Sequence, residues 1–329
     1  MKKDEATEPD YILIVGQGRS GTNWLLDLLD LSPKTHCRNE ADELVTSPLA
    51  QLPSPTVRQS QDDSFRQQWD QAIASASLRM GERDRIGTRP KFHLYEPMRR
   101  LGGATVLSKR RLRQLLSLVM PSLRQPDWPV PWWFANPYVL RQASVVLKLN
   151  QVPAWAEWVL LNRPSALVIH IVRHPGGFLN SWQNRYLASQ DSATVKSANE
   201  ERLRQVAESD ARWARLFPEV GAMSIEESEL WYWRYATEII HSAGQGRPNY
   251  VPVLYENLVT DPLKITKHLY EKCNLPWTAA IEREVSKSAS HSNSVATAWY
   301  EKLLPEQIEI VKRVLAGSLM SQCWDEASW

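Results

Sequence analysis

The chain has 329 residues, 43% of them hydrophobic, enough to bury a sizeable core in one α/β domain or in two smaller ones. Its 39 basic and 37 acidic residues leave a formal charge of +2, which gives no basis for nucleic acid or an anionic membrane as partner. The three cysteines, Cys37, Cys273 and Cys323, show no paired spacing; that argues against a disulfide framework or a zinc site and for a reducing cytoplasm.

Taken in chain order, the pattern predicts a first strand over residues 11–15, a glycine-rich turn, and a helix "TNWLLDLLDLS" closed by Pro33. That short strand is the first apolar run, and no later window reaches membrane-spanning length, so no membrane anchor is expected. Residues 34–60 read as irregular, because Pro48, Pro53 and Pro55 break any long element. Residues 61–80 have a mixed helical character, and "PSLRQPDWPVPWWFANP" at 121–137 reads as an extended, aromatic-lined segment. "SVVLKL" at 144–149 and "ALVIHIV" at 166–172 are near-continuous apolar runs of the kind found in a parallel sheet covered on both faces. Between them "PAWAEWVLLN" is helical; after them come a turn "RHPGG" and a helix "FLNSWQNRYLAS". Residues 188–228 are polar and loosely patterned, expected to form a mobile cover. A helix "EESELWYWRYATEIIHSAG" then leads to a strand "YVPVLY" at 250–255, and the rest is helical. Alternating strands and helices predict an α/β fold, a three-layer doubly wound parallel sheet with ligands at the carboxyl ends of its strands. The glycine turn, Lys148, Arg173 and Tyr255 all fall at such ends.

The turn "GQGRSG" admits three chemistries. It fits the dinucleotide fingerprint G-x-G-x-x-G through Gly16, Gly18 and Gly21, and Glu40 and Asp42 lie near the distance at which an acidic residue would hold a ribose. The preceding "PKTHCRNE", however, is too polar to read as a buried strand, so an NAD(P)-binding Rossmann oxidoreductase is the weaker alternative. A nucleotide-triphosphate loop fails because Thr22 stands at the lysine position and Asn23 at the magnesium-binding hydroxyl. The third chemistry is a bed of backbone amides at a helix N-terminus, supplemented by donors on Arg19, Ser20, Thr22 and Asn23; this can hold a phosphate joined to a sulfonate without a metal.

"GQGRSGTNWL" resembles the 5′-phosphosulfate loop of sulfotransferases that use 3′-phosphoadenosine 5′-phosphosulfate (PAPS) and release the bisphosphate PAP. "VIHIVRHPGGFLNSW" at 168–182 resembles their 3′-phosphate site, with Arg173 and Ser181 at the family spacing. "VPVLYENLVTDPLKITKHLYEKCNLP" is similar to a third shared block, and "TAWYEKLLPEQIEIVKRV" to a C-terminal segment of bacterial members. The resemblance implies a single sulfotransferase domain over 1–329 with a P-loop-like fold, and with acceptor-binding or cover insertions at about 41–141 and 188–228. It implies a soluble enzyme using PAPS without a metal. The donor site it implies consists of Gly18, Arg19, Ser20, Gly21, Thr22, Asn23, Trp24, Arg173, Ser181 and Tyr255. For Trp24 and Tyr255 a purely structural role stays equally open.

Lys148 parallels the lysine of the family's Lys-x-His motif, and a lysine within an apolar strand is costly to bury without an anion. Asn150 stands where that motif has its catalytic histidine and cannot accept the proton. The resemblance therefore points to a carboxylate after the first helix: Glu40, with Asp42 and Glu43 behind it and His36 and His93 as outside options. Arg19 and Lys148 are expected to stabilise the leaving oxygen. Trp128, Trp132, Trp133 and Phe134 are expected near a small-molecule or carbohydrate acceptor: a sugar, phenol, lipid or natural-product alcohol. A nucleotide-binding homologue that has lost the base also remains open, given Asn150.

Overall fold

The computed structural model describes residues 8–43, 47–58, 63–76, 79–80, 128–129, 142–187, 190–288 and 298–324. The elements run β1 (Ile12–Gly16), α1 (Thr22–Leu29), β2 (Thr35–Asn39), α2 (Asp63–Ala76), then β3 (Arg79–Met80) and β4 (Trp128–Pro129), which pair antiparallel. They continue with β5 (Ser144–Asn150), α3 (Pro153–Asn162), β6 (Leu167–Val172), α4 (Pro175–Trp182), α5 (Ser192–Ser209), α6 (Ala211–Leu216) and α7 (Ile225–Gly244). The chain then forms β7 (Tyr250–Leu254), α8 (Tyr255–Thr260), α9 (Pro262–Lys272), α10 (Ala279–Ser288), α11 (Trp299–Lys302) and α12 (Pro305–Leu315).

Five strands form one sheet in the order β2-β5-β1-β6-β7, every neighbouring pair parallel. Strand periodicity sends alternate side chains to opposite faces, and both faces are apolar. Leu13, Val15, Leu147, Leu149 and Val168 pack with Trp155 and Trp158 of α3, Phe178 of α4 and Trp231 of α7. Ile12, Ile14, Val146, Ile169 and Val253 pack with Leu25 and Leu28 of α1, Leu258 of α8 and Leu269 of α9. The three-layer parallel architecture expected from the sequence is the one observed.

Two expectations about local structure are overturned. Residues 34–60 are not irregular throughout: β2 is an ordered strand, and its buried Thr35 and Arg38 are accommodated by backbone acceptors. Thr35 donates to the Leu29 and Ser32 carbonyls at 3.0 Å each, and the buried Arg38 guanidinium donates to the Ala76 carbonyl. In the stretch 188–228, expected to be loosely patterned, the described residues 190–228 are largely helical; Val195, Leu203, Val206 and Trp213 are buried, and α5 packs along α7. A smaller shift concerns "RHPGG", of which Pro175, Gly176 and Gly177 already belong to α4.

The strand order also bears on the dinucleotide alternative. That fold places its second strand beside the first, so that the acidic residue at its end lies next to the glycine loop. Here β5 intervenes between β1 and β2, and the residues beside the loop strand are those of β5: Lys148 pairs with Ile14 and Asn150 with Gly16.

Candidate active site

The turn after β1 is shaped by close approaches that only glycine permits. A Cβ on Gly16 would lie 2.5 Å from the Ile171 carbonyl oxygen of the adjacent strand. Gly21, at the N-cap of α1, has φ +93°, and a Cβ there would lie 2.5 Å from Cδ2 of Tyr255. Arg19 also has a positive φ, 76°, and the Ser20 amide closes the turn onto the Gln17 carbonyl at 3.1 Å. No side chain caps α1. Its first-turn amides have no intrahelical acceptors, and the positive end of the helix dipole adds to their pull on an anion.

One cluster of donors lies at the β6 side of this turn. The exposed Arg19 donates through Nε to Ser181 Oγ at 3.1 Å, and Arg173 Nη1 donates to the Arg19 carbonyl at 3.1 Å. The Arg173 guanidinium sits 4.5 Å from the centre of the Tyr255 ring, which meets Trp24 edge-on at 6.4 Å. Burial of Arg173, 4% exposed, lowers its proton affinity; the Tyr255 and Glu256 groups raise it and Arg19 lowers it further. A second layer holds this arginine in place. His174 caps α4 by accepting the Gly176 amide at Nδ1, stacks on Trp299 at 4.5 Å, and gives its own amide to Glu256 Oε1 at 3.0 Å. Burial, and secondarily Arg173, pushes the His174 imidazole down to about 3, so it is neutral at physiological pH and its acceptor nitrogen is available for the cap. Glu256 Oε2 accepts from Trp324 Nε1 at 3.2 Å, and burial shifts its carboxyl upward.

A second cluster lies at the β5 side. Lys148 is fully buried, its Nζ donating to Asn23 Oδ1 at 2.9 Å, to Asn39 Oδ1 at 3.0 Å, and to Glu40 Oε1 in an ion pair. Glu40, 6% exposed, follows β2 with a positive φ of 52° and gives its amide to the Lys148 carbonyl at 2.8 Å. Asn150 Nδ2 also donates to Glu40 Oε1, at 2.6 Å, while its Oδ1 accepts from Thr22 Oγ1 at 3.1 Å. Asn23 is exposed, so the ammonium lies just beneath the surface of the loop.

The structure thus joins Glu40 with Lys148, and Arg19 with Arg173 and Ser181; Arg19 turns toward the second of these groups. Asp42 follows Glu40 in a short 3₁₀ turn, Ala41–Glu43, and His36 is buried as the second residue of β2. Of Glu43 and Trp128 only the backbone is described, and His93, Trp132, Trp133 and Phe134 lie outside the described residues. Sequence reasoning missed Asn39, whose role became visible only with the strand register that sets it opposite Lys148. It also missed Arg202, which reaches from α5 to Glu229 of α7 at 2.6 Å, lies 3.6 Å over the Tyr232 ring, and stands 3.5 Å from Gln151 beside Asn150.

Together, the glycine turn without a side-chain cap, two arginines at one side of it and a buried lysine–carboxylate pair at the other form a polar cluster at the carboxyl ends of the strands of a parallel sheet. The chain belongs to the sulfotransferase family, whose model matches residues 9–279. A comparison with curated proteins finds no match. Among solved structures it is similar to the sulfotransferase domain from the Synechococcus PCC 7002 olefin synthase, at 16% identity and TM-score 0.41, over 99% of this chain and 98% of that one. It is similar to sulfotransferase STF9 from Mycobacterium avium at 16% identity and TM-score 0.42, over 98% and 78% of the two chains. Mouse sulfotransferase SULT7A1 complexed with PAP matches at 12% identity and TM-score 0.40, over 97% and 86%. Among the described residues, no helix is long and apolar enough to cross a membrane.

Proposed function

We propose that the protein is a PAPS-dependent sulfotransferase acting on a hydroxyl of a small-molecule or carbohydrate acceptor. The observation that carries this reading is the pairing of Glu40 with Lys148, linked through Asn150 to Thr22 of the glycine turn. The donor set suits an adenosine nucleotide with an anion at each end: loop amides, Ser20, Thr22 and Asn23 for the phosphosulfate, and Arg173, Ser181 and Arg19 for the 3′-phosphate. Among the described residues, a Cβ on Gly18 would meet only the Tyr186 hydroxyl, at 3.9 Å, which suits a ligand at this side of the turn. Trp24 and Tyr255, already in contact, suit an adenine ring.

Bound PAPS supplies the sulfuryl group. In this chain Glu40 accepts the proton of the attacking hydroxyl, and Lys148 and the loop amides stabilise charge on the leaving phosphate side. We treat the chain as one domain, with the acceptor held by parts of 41–141 and 188–228. Three cysteines outside any disulfide fit a reducing compartment, here the cytoplasm. The test is PAP release from PAPS, in the presence of a chelator, over a panel of sugars, phenols and lipid alcohols. Acceptor-dependent release with matching sulfated product supports the reading; PAP binding without transfer to any acceptor identifies an inactive homologue.

A further inference from the structure

We infer that a donor bound in the glycine turn competes with the network around the Glu40 carboxylate for two hydrogen-bond donors, the Lys148 ammonium, which pairs with Glu40 itself, and the Thr22 hydroxyl, which reaches Glu40 through Asn150, so that filling the turn loosens the base from its cage. The inference rests on the sulfotransferase reading of the site and concerns how its two halves are coupled.

An ammonium group has three protons and a hydroxyl has one. Lys148 directs protons to three acceptors of the chain, Asn23, Asn39 and Glu40. Thr22 directs its single hydroxyl proton to Asn150 Oδ1. Yet Thr22 is the first residue of α1, where an oxyanion sits on the helix N-terminus, and Lys148 lies directly under exposed Asn23 in the same turn. An anion that draws on either donor takes a proton from the network around Glu40.

The consequence passes through Asn150. Its amide is held at both ends, Oδ1 by Thr22 and Nδ2 on Glu40 Oε1, so it transmits a change at the loop to the carboxylate. Asn150 is in this sense a positioning residue: it touches the base, not the donor. If Lys148 turns to the donor, Glu40 loses its ion pair while a second negative charge arrives nearby, which raises its readiness to take a proton. The base is thereby restrained while the turn is empty and released when it is filled. The opposing picture is a rigid cage in which Lys148 and Thr22 never leave their partners, and the nucleotide is held by backbone amides and arginines alone.

The two pictures differ in the sign of a binding change. We would titrate PAP into the wild type, Glu40→Gln and Asn150→Ala by calorimetry, with circular dichroism to confirm folding. Competition predicts that both variants bind PAP more tightly, by about tenfold, as expected when one hydrogen bond to a charged group no longer opposes binding, while both turn over more slowly. A residue that merely supports the fold would weaken binding. Asn150→Ala keeps the ion pair intact and so serves even if Glu40→Gln folds poorly. Tightening in Glu40→Gln alone assigns the competition to Lys148, and in Asn150→Ala alone to Thr22. Wild-type binding with unchanged or weaker affinity in the folded variants overturns the inference. Failure of the wild type to bind PAP overturns the donor reading itself, and the inference with it.

Discussion

Replacing Lys148 by methionine should unbalance the site more than any other single change. The side chains of Lys148 and Glu40 are 0% and 7% exposed, so water cannot take over when the ammonium is lost. Removing one partner of a buried ion pair typically costs ~3–5 kcal/mol. The Asn23 and Asn39 oxygens, which also accept from Lys148, add ~1 kcal/mol each. A total of ~5–7 kcal/mol is a large part of the ~5–15 kcal/mol that holds a typical domain together, and corresponds to a fall in Tm of ~7–10 °C for a chain of this size. Denaturant unfolding at low temperature reads the loss, and PAP release reads a fall in turnover of ~10²–10³. The double variant Lys148→Met with Glu40→Gln should recover ~2 kcal/mol or more of the lost stability, because no carboxylate is left stranded. A loss below ~1 kcal/mol in the single variant, or no recovery in the double, would refute the reasoning.

Three further outcomes are expected. Arg173→Lys replaces a planar fork by a point charge and should raise the donor KM by roughly tenfold with kcat little changed; an unaltered donor KM in steady-state kinetics contradicts the 3′-phosphate role. Gly21→Ala forces a side chain into φ +93° and against Tyr255, costing ~2–4 kcal/mol and weakening PAP binding in calorimetry; wild-type behaviour would show that the turn is looser than described. His170 and His174 are each held near 3 in the folded state, chiefly by burial, against 6.5 when unperturbed. Their contribution is complete above pH 6.5 and is lost as pH falls toward 3, at about 1.4 kcal/mol per pH unit for each. His174→Asn, which keeps an acceptor at the N-cap, should flatten the stability–pH slope between pH 6 and 4; an unchanged slope argues against a buried neutral His174.

Much of the sheet was legible because β5 and β6 are near-continuous apolar runs, and the loop because glycines mark where backbones approach. Strand β2 was not, since "THCRN" is polar and hydropathy carries no record of the acceptors that Leu29, Ser32 and Ala76 offer. That misreading mattered: Glu40 is aimed at Lys148 only because β2 runs beside β5 in register. Asn150, first seen as a departure from a histidine-bearing motif, is the residue that links Thr22 to Glu40. Spacing along the chain could place Arg173 and Ser181 eight residues apart, but not show that Arg19 would join them.

The central claim is that the glycine turn and its arginines form a site for an adenosine nucleotide phosphorylated at both ends, needing no divalent ion. Calorimetric titration of PAP and of NAD into the wild-type protein, each with and without EDTA, tests it most directly. Saturable one-to-one PAP binding, unaffected by EDTA and with no heat from NAD, is the result expected. Binding of NAD in preference to PAP, or PAP binding that vanishes with EDTA, would contradict it.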